Sequence, residues 1–130
     1  QRDYKHIFHG LIDEVRIYNR ALSAEEITEH YRVGAARLKP NTPLTNKFTS
    51  GLVGYWSFNG QDIDWSTNTA YDRSGQGNDG TLVNGPKPAP GISGQALEFD
   101  GVDDYVSVSV PFTDVVNTFT MELWVYPLST

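Results

Sequence analysis

Ala96-Leu97-Glu98-Phe99-Asp100-Gly101-Val102-Asp103-Asp104-Tyr105-Val106-Ser107-Val108-Ser109-Val110 is the stretch that decides the fold. Two runs rich in β-branched and aromatic residues flank a short Asp/Gly turn, which predicts a hairpin. Val106, Val108 and Val110 fall on one face, and Tyr105, Ser107 and Ser109 on the other. Side chains that alternate with period two belong to a half-buried strand. Downstream, Phe119, Met121, Leu123 and Val125 alternate with Thr120, Glu122, Trp124 and Tyr126, a second strand of the same kind. Upstream, Pro86, Pro88, Pro90 and Gly91 break the chain. Before them Thr81-Leu82-Val83 is a short strand. Residues 71–80, rich in Gly, Asn, Asp and Ser, form a loop. Residues 52–58 form a strand with Leu52, Trp56 and Phe58 on one face.

The first third of the chain adds one more strand and the one helix. Residues 7–18 are dense in β-branched and aromatic residues, with Val15 and Ile17 alternating against Glu14, Arg16 and Tyr18. Ser23 followed three residues later by Glu26 is a capping box, which predicts a short helix over about residues 23–33. Glu25 and Glu26 sit near its positive end. Ile27 and Tyr31 share a face, and Gly34 is the expected stop. Residues 34–50 carry Pro40, Asn41 and Pro43 without any period, and are expected to be a linker. The predicted fold class is therefore all-β, an antiparallel two-sheet jelly-roll sandwich with one short helix. Residues 1–33 and 51–130 are expected to pack as one domain across the 34–50 linker.

Composition narrows the function classes. The chain has 130 residues, no cysteine and a net charge of −6. Without cysteine there is neither a disulfide framework nor thiolate chemistry. The acidic balance argues against a nucleic-acid partner, which needs a basic face. No apolar run approaches the roughly 20 residues that span a bilayer, so membrane insertion is not expected. No leader segment is visible at the start.

Two segments resemble the laminin-G-like (concanavalin A-like) jelly-roll family. Phe8-His9-Gly10-Leu11-Ile12-Asp13-Glu14-Val15-Arg16-Ile17-Tyr18-Asn19-Arg20-Ala21-Leu22-Ser23 is similar to that family's closing strand and helix. Gly51-Leu52-Val53-Gly54-Tyr55-Trp56-Ser57-Phe58 is similar to its opening strand, and the 72–80 loop, residues 96–106 and residues 119–127 follow in family order. The closing signature thus stands before the opening one, and nothing resembles the family's central strands. On this resemblance the chain is a fragment, residues 1–33 closing one repeat and residues 51–130 opening the next. The resemblance implies a secreted or cell-surface setting and a non-catalytic carbohydrate-binding or recognition role. A structural or adhesive repeat without a retained ligand is the alternative.

Candidate sites follow from chemistry. Calcium takes several oxygen ligands on a flexible turn. Asp72 and Asn78, in a loop that Gly75, Gly77 and Gly80 leave free to curl, are the candidate metal ligands. The resemblance adds an acidic residue of the closing strand, Asp13 or Glu14, around a structural Ca2+. The alternative is an ordinary turn in which Asp72 and Asn78 cap amides. Trp65, in a polar insert with no period to bury it, and Tyr71 are the candidate carbohydrate platform, since aromatic faces stack on sugar rings. Covering a core edge is the alternative role for Trp65. A third possibility, a glycoside hydrolase, needs a pair of carboxylates placed for nucleophile and acid. Glu98 and Asp100 share a strand face, but position 102 is Val, so no enzyme is expected. His6, His9 and His30 have no zinc spacing. The absent central strands leave sheet edges open, so self-association is expected, most simply as a homodimer.

Overall fold

The computed structural model describes residues 7–35, 46–109 and 117–129. Val110, His6 and most of the expected linker lie outside them. Within them the chain is an all-β sandwich of two antiparallel sheets with one short helix.

Strand β1 (His9–Tyr18) is the hub of the larger sheet. Strand β9 (Thr120–Pro127) runs along one edge of it, from Gly10↔Pro127 to Tyr18↔Thr120. The other edge is shared. Strand β7 (Gln95–Asp100) pairs with its first half, and β2 (Leu52–Trp56) pairs with its second, as Val15↔Trp56. Strand β6 (Lys87–Pro90) closes the far side of β7. The smaller sheet runs β3 (Ile63–Asp64), β4 (Thr69–Ala70), β5 (Gly80–Val83), β8 (Tyr105–Val108). Between the sheets lie Trp56, Phe58, Ile63, Ala70, Leu82, Leu97 and Phe99, with Ile12, Val15, Val106 and Val108 packed against them.

The sequence expectation for 96–110 needs correction. The two strands form no hairpin. Strand β7 is paired on both edges, by β1 and β6, so no edge is left for β8, which pairs β5 in the opposite sheet. The turn between them is a corner. Asp100 Oδ1 accepts the amides of Val102 (2.7 Å) and Asp103 (3.3 Å), and Asp104 Oδ2 accepts the Asp100 amide (3.0 Å), which swings the chain from one sheet to the other. The proline-rich segment is a strand after all. Pro88 and Pro90 sit on β6, an edge strand, where a missing donor costs no ladder bond if it faces outward.

Helix α1 (Ala24–Ala35) starts as the sequence predicts and passes Gly34 by one residue. The capping box is reciprocal: the Glu26 amide donates to Ser23 Oγ at 3.1 Å, and the Ser23 amide donates to Glu26 Oε2 at 2.8 Å. Arg20 adds a two-pronged bond to the Glu26 carboxylate, both arms 2.7 Å. Led by the Arg20 bond, then by the Ser23 amide, these hold the Glu26 carboxyl down at about 2. A depressed carboxyl stabilises the fold above its ordinary value, and that contribution is lost as pH falls from about 4.5 toward 2. The stability gap between the native chain and Glu26→Gln is expected to be widest at neutral pH and to close by about pH 2, as read by urea melts along a pH series.

A second core cluster, Tyr18, Leu52 and Tyr55, lies on the helix side of the sheet. The Tyr18 ring is 5.7 Å from that of His30, and its hydroxyl donates to the carbonyl of Phe48 in the single helical turn α2 (Asn46–Thr49).

Candidate functional site

The chemistry of β1 starts at an irregularity. The β1–β9 register runs Asp13↔Trp124 and then Arg16↔Glu122, so Glu14 and Val15 together oppose Leu123. This is a β-bulge, and Glu14 takes the left-handed backbone it requires, at φ 55°. The extra residue breaks alternation, and two adjacent carboxylates, Asp13 and Glu14, are both buried.

They have different surroundings. Asp13 faces a cavity of about 280 Å³ lined also by Leu11, Pro90, Gly91, Ile92 and Trp124. Its Oδ2 accepts the Ser93 amide at 3.3 Å, while Oδ1 has no hydrogen-bond partner. Burial, then the Glu14 charge, raises its carboxyl to about 7. The amides of Ser93, Ile92 and Glu14 favour the charged form but do not outweigh these. Gly91 makes the close approach of the loop feasible: a Cβ there would overlap Asp13 Oδ2.

Glu14 is satisfied. The Tyr55 hydroxyl donates to its Oε2 at 2.6 Å, and Arg16 Nη2 donates to the same oxygen at 2.7 Å. Arg16 also lies 4.1 Å over the Tyr55 ring and 3.6 Å from Glu122 Oε1. Burial works against its charge, but Tyr55, Glu14 and Glu122 keep its affinity for the proton above the usual value. Glu122 contacts His30 Nδ1 at 2.8 Å, and Trp124 stacks on Tyr31 with centroids 5.3 Å apart. The network therefore joins α1 to the sheet through charges and rings. Sequence alone marks Arg16 and Glu122 as polar strand positions and shows nothing of their contact.

In the 72–80 loop, Asp72 is a scaffold. Its Oδ1 accepts the amides of Tyr55 (2.9 Å) and Ser74 (2.8 Å), and its Oδ2 accepts Ser74 Oγ (2.7 Å) and the Asn78 amide (2.9 Å). A carboxylate offers about four acceptor sites, and these bonds use them. Asn78 donates its side-chain amide to the Val53 carbonyl at 2.8 Å, and its own carbonyl accepts Trp56 Nε1 at 3.0 Å. The alternative amide-capping role thus describes Asp72, whereas the Asn78 side chain donates to a carbonyl. The structure does not join Asp13 to them, since its partners come from the turn around Gly91 and Ser93.

Trp65 lies in the turn of the β3–β4 hairpin and Tyr71 directly follows β4, each 42 % exposed. Tyr71 is fixed by its amide, which donates to the Asp62 carbonyl at 2.8 Å. Asp64 Oδ1 accepts the Ser66 amide and hydroxyl, at 2.9 and 2.6 Å, and so shapes the turn that carries Trp65. Hydroxyls of Ser66, Thr67 and Thr69 surround the rings in sequence. Asp100 belongs to the corner: the Val102 amide is the main cause that holds its carboxyl below the usual range. Asp100, Asp103 and Asp104 bring carboxylate oxygens within 4.8 Å of one another on the surface, but Asp100 and Asp104 are already engaged by the turn amides. No described helix is long and apolar enough to cross a membrane.

Known proteins add no relative to set beside this geometry: no protein-family model, curated protein or solved structure matches the chain.

Proposed function

We propose that the chain is a non-catalytic recognition module of the laminin-G-like jelly-roll type, which takes a glycan on the β3–β4 hairpin. The observation that carries this reading is the exposure of Trp65 and Tyr71 at a short hairpin that also carries Ser66, Thr67 and Thr69. Large aromatic faces left in water beside fixed polar groups suit the apolar face of a sugar ring. The resemblance of residues 6–33 and 51–127 supports the family and, with it, a secreted or cell-surface setting. A glycan array followed by calorimetry on the strongest hit tests the reading. Trp65→Ala and Tyr71→Ala are each expected to weaken binding by about tenfold or more with an unchanged melting temperature. Binding that survives both substitutions contradicts it. Release of reducing sugar from polysaccharides is expected to be nil. Turnover that disappears in Glu98→Gln would reverse the non-catalytic reading.

A specific observation favours a second reading, assembly. Phe119, just before β9, and Met121, Leu123 and Val125 along it are 41–60 % exposed, and the strand's other edge has no strand beside it among the described residues. An apolar row beside an open edge invites pairing with another chain. In this reading the module is a structural repeat that self-associates, most simply as a homodimer. Light scattering between about 1 and 100 µM tests it, with Leu123→Lys expected to shift the mass to that of a monomer.

A further inference from the structure

The chain holds two Asn-Gly pairs, Asn59-Gly60 and Asn84-Gly85. An asparagine amide is most open to attack when glycine follows, because no side chain crowds the backbone nitrogen that attacks it. The fold treats the two pairs differently. Asn59 is buried, its Oδ1 accepts the Gln95 amide at 2.9 Å, and its carbonyl accepts the Asp62 amide at 2.8 Å. A Cβ on Gly94 would overlap Asn59 Oδ1, so that side chain has no room to turn. Asn84 and Gly85 are both exposed, in the bend between β5 and β6, with positive φ angles of 67° and 106°. A Cβ on Gly85 would meet nothing within 4 Å. This bend crosses between the sheets, from β5 in the smaller to β6 in the larger. The corner at Asp100–Asp104 crosses back. Asn84 Nδ2 donates to the Asp103 carbonyl at 2.8 Å and so straps one crossing to the other.

We infer that Asn84 is a site of spontaneous modification, deamidation to aspartate and isoaspartate, and that the reaction releases this strap. Hydroxide takes the proton of the Gly85 amide, and the nitrogen attacks Asn84 Cγ. The new N–C bond closes a five-membered succinimide ring. The Cγ–Nδ2 bond breaks, and ammonia leaves with a proton taken from water. Water then opens the ring at either carbonyl. One opening gives aspartate, and the other gives isoaspartate, with the main chain routed through Cγ. Neither product can donate to the Asp103 carbonyl, since a carboxylate only accepts. Each also adds a negative charge beside a corner where the carboxylate oxygens of Asp100, Asp103 and Asp104 already lie within 4.8 Å of one another. The inference rests on neither the glycan nor the assembly reading.

The test ages the full chain in mildly alkaline buffer made with heavy-oxygen water and maps the products by peptide mass spectrometry. A guanidinium-unfolded sample is aged beside it. In the folded chain Asn84 is expected to convert at least about tenfold faster than Asn59, which reacts only through local opening. In the unfolded chain the two rates are expected to converge. Asn84→Gln, whose longer side chain would need a six-membered ring, is expected to stop the acidic shift that ageing produces on anion exchange. Asn84→Asp, which carries one of the two products, is expected to melt lower than the native chain by on the order of 2 °C, through the lost bond and the added charge. Asn59 converting as fast as Asn84 in the folded chain overturns the site. So does an Asn84 that survives in the folded chain under conditions where the unfolded chain converts. A melt unchanged in Asn84→Asp overturns the strap.

Discussion

A chain that starts at residue 34 is expected to lose cooperative unfolding altogether, and a peptide of residues 7–33 added back is expected to restore it. The reason is the position of β1. It pairs with β2, β7 and β9, so its removal leaves β9 and β2 with no ladder partner among the described strands. A row of backbone donors and acceptors without partners cannot stay buried. Tyr18, at 0 % exposure, leaves with it, and so does the α1 cover over Trp124. Circular dichroism during heating reads the outcome. A truncated chain that still melts in one sharp step would mean that β2, β7 and β9 hold together by other contacts.

Leu97→Ala is expected to cost about 2–5 kcal/mol, by lost burial and by the cavity left behind. Leu97 is 0 % exposed, at the point where β7 lies between β1 and β6 and faces the smaller sheet. Domains of this kind have about 5–15 kcal/mol in total, so the loss consumes a large share. Urea melts measure it as a shift in midpoint at constant slope. Ser107→Ala, on the exposed face of β8, is the control and should stay within about 0.5 kcal/mol.

Much of this architecture was legible in the residues. Strands show through alternation, which is why β1, β5 and β8 fall where the pattern puts them. Strand β2 is buried throughout, with Leu52 in the helix-side cluster and not beside Trp56 and Phe58, and the apolar row of β9 is the exposed one. The capping box at Ser23 and Glu26 is local chemistry and reads directly. The corner at Asp100–Asp104 did not read, because an Asp/Gly turn looks the same whether the chain returns beside itself or crosses to another sheet. What decides is the occupancy of β7's edges by β1 and β6, a tertiary fact. Strand β6 was hidden for the opposite reason: Pro88 and Pro90 signal a break unless the strand is known to be an edge. The functional residues split the same way. Trp65 and Tyr71 stood out as aromatics without a period to bury them. Asp13 could be named as acidic, but its burial beside Glu14 at the bulge is announced by no spacing. The Arg16, Glu122 and His30 network joins residues 16, 30 and 122, too distant in sequence for local rules to connect.

The central claim is that β1 docks within its own chain as the hub of the larger sheet. Isotope-filtered nuclear Overhauser spectra on an equal mixture of labelled and unlabelled protein test it most directly. The cross-strand contacts Leu11 to Tyr126, Ile17 to Met121 and Val15 to Trp56 are expected in the intramolecular spectrum and absent from the intermolecular one. Those same contacts appearing between labelled and unlabelled chains would contradict the account, since β1 would then belong to a neighbour's sheet.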